Sequence, residues 1–152
     1  MPMMVSFTPT LTRKLPFAYA FDADVAKAIL PVLRIHGVQV EELTRAASIT
    51  GQRFEVDSVV KLARFENTPR TRTSLRGRWT DATARIGGPS SPTYVVRAGQ
   101  QLGLLAMYLL EPESDDGLMS WGFLDALMSA GKPYPVTRIT TPTPLSTRPA
   151  RD

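Results

Sequence analysis

Between Ile49 and Trp79 apolar and polar residues exchange at almost every step, and this alternation commits the chain to a fold built on an antiparallel β-sheet with distinct faces. Phe54, Val56, Ser58, Val60 and Leu62 alternate with Glu55, Asp57, Val59, Lys61 and Ala63, which predicts one long strand, clean-faced for most of its length. Asn67-Thr68-Pro69 predicts a turn. Thr71, Thr73, Leu75, Gly77 and Trp79 then alternate with Arg72, Ser74, Arg76 and Arg78, so the arginines gather on one solvent-facing surface.

The segments on either side carry a different period. Phe17 to Phe21 reads as a short strand, and Asp22 or Asp24 can cap a helix in which Val25, Ile29, Val32, Leu33 and His36 recur at helical spacing, with Gly37 just past its end. Pro31 deletes the hydrogen bond to the Lys27 carbonyl, so a kink or break is expected there. Val38 to Leu43 predicts a second strand, and strand, helix and strand in this order suit two parallel neighbours. Gly87 to Pro92 is a loop tip, and Tyr94 to Arg97 resumes a strand. Leu102, Leu105, Ala106, Leu109 and Leu110 define a helix over Gln101 to Leu110, stopped by Pro112.

Beyond it, Ser114 or Asp115 is expected to cap a further helix bearing Leu118, Trp121, Phe123, Leu124, Leu127 and Met128, apolar on too many sides to lie on a surface. Gly131 and Pro133 stop it, and Tyr134 to Ile139 gives the last expected strand. Together these segments predict an α+β fold: an antiparallel sheet, open to a sandwich-like arrangement, with two or three packed helices. Residues 1–15 read as an arm or linker, 16–139 as the domain, and 140–152 as a flexible tail rich in Pro and Thr.

A chain of 152 residues can bury roughly 68–70% of its unfolded surface without a covalent staple. It contains no cysteine, which removes disulfides and thiolate chemistry but leaves the compartment open. Met1 to Phe7 lacks a basic stretch followed by an apolar run, so no signal peptide is expected, and no run approaches the ~20 apolar residues that span a bilayer. The net charge of +4 raises the question of nucleic acid. Its distribution is segregated: bases dominate from Lys61 to Arg97, whereas Glu111, Glu113, Asp115, Asp116 and Asp125 stand without a base among them. Strand-borne arginines are ordinarily a solvated face, and nucleic-acid binding is not expected.

Catalytic signatures are missing from the pattern. Neither phosphate-loop glycine spacing nor a Gly-x-Ser-x-Gly elbow occurs, and His36, the one histidine, falls at a helix C-terminus where a cation suits the dipole. The acidic residues lack the spaced calcium-loop pattern, so no metal or cofactor is expected; capping and pairing with the arginine face account for them. The residues that would form a binding surface are Glu113, Asp115, Asp116, Trp121 and Asp125 on one segment and Arg72, Arg76 and Arg78 on the other. Trp79 and Trp121 would make a sugar platform if exposed, but each lies in register with apolar neighbours and is expected in the core.

One run has a specific likeness. Leu109-Leu110-Glu111-Pro112-Glu113-Ser114-Asp115-Asp116-Gly117-Leu118, followed by Trp121, Phe123 and Asp125, resembles a stretch in the non-catalytic C-terminal region of some long bacterial zinc carboxypeptidases. Leu15 to Tyr19, Leu33 to Val38 and Tyr94 to Ala98 extend the resemblance over roughly Phe7 to Ile139, and Gly122-Phe123-Leu124 departs from the family's more polar and aromatic sequence. The peptidase itself holds zinc with two histidines and a glutamate and adds a carboxylate base. One histidine cannot supply that set. The resemblance therefore implies an accessory domain supporting folding, docking or substrate access, with a zinc carboxypeptidase catalytic domain or another protein as its partner. A free-standing module for a carbohydrate, polyanion or protein is the alternative.

Overall fold

The computed structural model describes residues 11–63, 71–90 and 92–151. They form an α+β fold in which a single seven-stranded antiparallel sheet carries two helices. The strands are β1 (Ala18–Asp22), β2 (Glu41–Leu43), β3 (Ala47–Lys61), β4 (Thr73–Ile86), β5 (Thr93–Arg97), β6 (Thr137–Ile139) and β7 (Thr147–Pro149), and the helices α1 (Ala23–Ile35) and α2 (Gly103–Leu110). Across the sheet the order is β4-β3-β6-β1-β5-β2-β7. One sheet, not two packed sheets, answers the question of a sandwich.

Both faces of this sheet are apolar, which follows from the parity of its central strands. In β1, Tyr19 and Phe21 point to one face and Ala18 and Ala20 to the other; in β5, Val96 and Val95 divide the same way. The larger core places Tyr19, Phe21, Phe54, Val56 and Val96 against Ile29 and Leu33 of α1 and Ala106 and Leu110 of α2. The smaller gathers Ala18, Ala20, Leu43, Ile49, Val95 and Ile139. Gly51 lies where β3 pairs with β6, and a Cβ there would stand 1.8 Å from the Arg138 carbonyl oxygen. No other residue fits there.

Asp22 caps α1 as its sequence predicts, its Oδ1 accepting from the backbone N–H groups of Asp24 and Val25, both at 3.0 Å. Gly37 takes φ +78 just beyond the helix end, a left-handed conformation open to glycine. Pro31 does not break α1. It sits exposed on the outer side of one continuous helix. The strands flanking α1 run parallel to each other but are not neighbours: β5 lies between β1 and β2 and pairs antiparallel with each, because the later strand supplies the central apolar pair Val95 and Val96.

The long β3–β4 ladder departs from simple alternation at Asp57. Register passes from Val56↔Gly77 to Ser58↔Arg76, so Asp57 is an extra residue and the faces exchange beyond it. Val59 rather than Val60 then packs on the core, paired with Leu75, and Leu62 is exposed. The predicted turn at Asn67-Thr68-Pro69 lies outside the described residues.

Two expectations near the C-terminus are corrected. After α2 the chain does not enter another α-helix; residues 111–124 form successive hydrogen-bonded turns, with Gly122 at φ +77, and only Asp125–Leu127 makes a short 3₁₀ turn. Leu118, Met119 and Leu124 still reach the core, but from turns. Tyr134 to Ile139 narrows to β6 and is not the last strand. Thr147–Pro149, within the segment expected as a flexible tail, pairs with β2, and Arg148 grips Glu42 with bonds of 3.0–3.1 Å. An edge strand accepts Pro149 because one side of its backbone needs no ladder partner.

Candidate functional site

The acidic run after α2 is distributed over separate internal partners. Glu111 is the residue before Pro112 and leaves the helix in extended conformation, which turns its side chain inward under the sheet. There it meets Arg138 of β6; each residue is 5% exposed. Glu111 Oε1 accepts from Arg138 Nε at 2.8 Å and from the Tyr19 hydroxyl at 2.6 Å, while Oε2 accepts from Arg138 Nη2. The arginine also lies on the Trp79 ring, 3.4 Å from its centroid. Arg138 Nη1 adds a longer contact to Gln52 Oε1 at 3.5 Å, so each guanidinium nitrogen of this buried pair has a partner, the condition under which an ion pair tolerates burial.

The network continues outward. Trp79 Nε1 donates to Glu113 Oε2 at 3.3 Å, and Arg13 binds the same oxygen through Nε at 3.1 Å and Nη2 at 2.5 Å. Tyr134 donates to the Leu110 carbonyl at 3.0 Å. Burial is the main cause that pushes both tyrosine hydroxyls above the ordinary phenol range, with the Glu111 charge adding to it; at Tyr19 the hydrogen bond to Glu111 adds further.

Of the remaining candidate residues, Asp116 and Arg72 meet at Trp121, and the others go to separate partners. Asp115 is exposed and accepts from the Tyr108 hydroxyl at 2.8 Å, a bond that raises the Tyr108 pKa, with burial and nearby acidic charge as smaller causes. Asp116 accepts from Trp121 Nε1. Asp125 turns to the opposite side, where Lys61 and Thr73 hold it, the latter at 2.8 Å. Arg72 donates to Ser120 Oγ at 3.0 Å and stacks over Trp121 at 5.2 Å, so it leaves the arginine face. Arg76 and Arg78 do share an exposed face, with Arg78 paired to Asp57 at 3.1 Å.

Several sequence expectations therefore change. The acids of the run do not pair with Arg76 or Arg78, because the turns carry them to nearer partners: Arg138, Arg13 and Lys61 for Glu111, Glu113 and Asp125, and Tyr108 and Trp121 for Asp115 and Asp116. Trp79 is partly buried and packs edge-on against Phe54 as a core member. Trp121 is only partly covered and is no core anchor; with Arg72 on its ring, a sugar platform there is obstructed. Ser114 to Asp116 cap no helix, since turns rather than an α-helix follow them. Among the described residues no group of three or more His, Cys, Asp or Glu side chains is placed to hold a metal ion. His36 is exposed at the α1 C-terminus, its Nδ1 2.8 Å from the Val32 carbonyl.

Sequence reasoning missed the surface beside this corner. Helix α2 reads Gly-Leu-Leu-Ala-Met-Tyr-Leu-Leu and has no polar stripe, a composition suited to burial on all sides. Its inner side packs through Ala106, Leu109 and Leu110. On its outer side Leu104 is 74% and Tyr108 45% exposed, one helical turn apart, and Leu11 is 49% exposed across a groove of about 610 Å³ whose walls include Met107, Arg13, Glu113, Ser114 and Asp115. The signal was present in the missing polar positions of this helix. Comparison with protein-family models, with curated proteins and with solved structures finds no match.

Proposed function

We propose that this chain is a non-catalytic accessory domain, similar to the C-terminal region of bacterial zinc carboxypeptidases, that works by docking on a protein partner through α2. The observation that carries the reading is the outer side of α2: a helix with no polar stripe that leaves a leucine and a tyrosine exposed beside a groove. Isolated exposed leucines are common, but Leu104 and Tyr108 adjacent on one helix face, with Leu11 across a groove, mark an interaction surface. The acidic run that carries the family resemblance supports the same reading. Its side chains are engaged with Arg138, Arg13, Tyr108, Trp121, Lys61 and Thr73, which is the work of a scaffold holding α2 in place.

A zinc carboxypeptidase catalytic unit encoded in the same genome is the partner to try. The purified chain, supplied with zinc, should release no C-terminal residue from peptides. Added to the catalytic unit it should raise that unit's thermal midpoint or its kcat/KM, and Leu104→Gln should remove the effect. Peptide turnover by the chain alone, abolished by a chelator, would refute the proposal.

A further inference from the structure

The rim of the α2 groove indicates which kind of segment fills it. Glu113 and Asp115 line the groove and Asp116 is exposed beside it, whereas Arg13 is the one base in its wall and is bound to Glu113. The groove is thus a local acidic exception on a chain whose net charge is +4. Its floor is apolar and its ridge runs along one helix, through Leu104 and Tyr108. A floor of this kind accepts an apolar stripe with helical spacing, and a rim of this charge favours cations beside that stripe.

We infer that the groove receives an amphipathic helix of a partner protein whose apolar stripe is flanked by lysine or arginine. The inference rests on the docking reading above and adds the chemistry of the partner. A second copy of this chain is disfavoured as the occupant. Packing α2 against its own mate would bring two acidic rims together, and like charges at a desolvating interface oppose association. The Tyr108 hydroxyl, already bonded to Asp115, holds that carboxylate at the groove wall, where it can meet an incoming cation.

The test uses the full chain, labelled with ¹⁵N, and two synthetic probes: an amphipathic helical peptide of leucine and lysine, and its counterpart with glutamate at every lysine. The leucine–lysine peptide should shift the amides of Leu104, Tyr108 and Ser114 to Asp116, bind at least about tenfold more tightly than the glutamate peptide, and weaken as salt is raised. Leu104→Gln and, separately, Asp115→Asn with Asp116→Asn should each lower its affinity, the first for both probes and the second for the lysine probe alone. Equal or tighter binding of the glutamate peptide at α2 would overturn the inferred charge of the partner and leave the docking surface standing. Failure of both probes to shift α2 would remove the docking surface itself. Shifts of the leucine–lysine peptide centred on Arg76 and Arg78 would place its binding on another face, and a concentration-dependent dimer abolished by Leu104→Gln would give the groove a second copy as its occupant; either would overturn the inference.

Discussion

Removing either member of the Glu111–Arg138 pair is the sharpest perturbation of the scaffold. Both residues are 5% exposed, and the pair joins the end of α2 to the short strand β6, with Tyr19 of β1 as a third party. In Glu111→Gln the side-chain volume and the acceptor for Tyr19 remain, but Arg138 becomes an uncompensated buried cation. In Arg138→Met the stem remains, but Glu111 becomes an uncompensated anion. Breaking a buried pair in this way costs about 3–5 kcal/mol. For a chain of this size that lowers the thermal midpoint by roughly 6–20 °C, taking 2–4 °C per kcal/mol. The double variant removes both charges and should cost less than the sum of the singles, with a coupling of roughly 0.5–3 kcal/mol. Urea unfolding followed by circular dichroism gives all three values. A loss under about 1 kcal/mol for either single variant, or strict additivity in the double, would mean that water screens the pair and that Glu111 does not anchor the corner.

Other substitutions test separate joints of the fold. Gly103→Ala should destabilise by about 1–3 kcal/mol although alanine is the better helix former, because its Cβ would lie 1.7 Å from the Ala98 carbonyl oxygen; a gain in stability would show that α2 has room to move. Asp22→Ala should cost about 0.5–2 kcal/mol through the lost cap of α1, and an unchanged urea midpoint would dismiss the cap. Tyr19 and Tyr134 have raised pKa values in the fold, so above pH ~10 the unfolded chain releases protons that the native state keeps. Stability should be intact below that pH and fall above it by up to about 1.4 kcal/mol per pH unit for each tyrosine, with ultraviolet difference spectra showing both ionise only on unfolding. Their ionisation in the native state would contradict the burial.

Local signals were legible where the residues that make the structure are neighbours in sequence. The Asp22 cap, the Gly37 stop, the alternation from Thr73 to Trp79 and the spacing that predicts α2 each depend on residues a few positions apart, and each is found. The misread features depend on choices that sequence leaves balanced. Val59 and Val60 are both apolar, so either can face the core, and the extra residue at Asp57 decides between them. Residues 118–128 carry apolar side chains at intervals that suit a helix, but Gly117, Gly122 and Gly131 and the local turn bonds hold them in another path. The insertion of β5 between β1 and β2 is a long-range pairing that neither neighbour announces. Arg138 offered a clue, a lone charge within the apolar run from Tyr134 to Ile139, which predicts a buried anion to match it. That anion is Glu111, the first acid of the run after α2.

The division between a scaffold at Glu111 and a working surface at Leu104 is tested most directly by measuring folding and association in the same pair of variants. Leu104 is 74% exposed, so Leu104→Gln should keep the urea midpoint within about 0.5 kcal/mol of the parent while binding of the leucine–lysine helix is lost. Arg138→Met, which breaks the same pair from outside the groove, should do the reverse, losing stability while any molecules that remain folded still bind. A Leu104→Gln chain that binds as well as the parent would contradict the account, because the apolar side of α2 would then have no part in association.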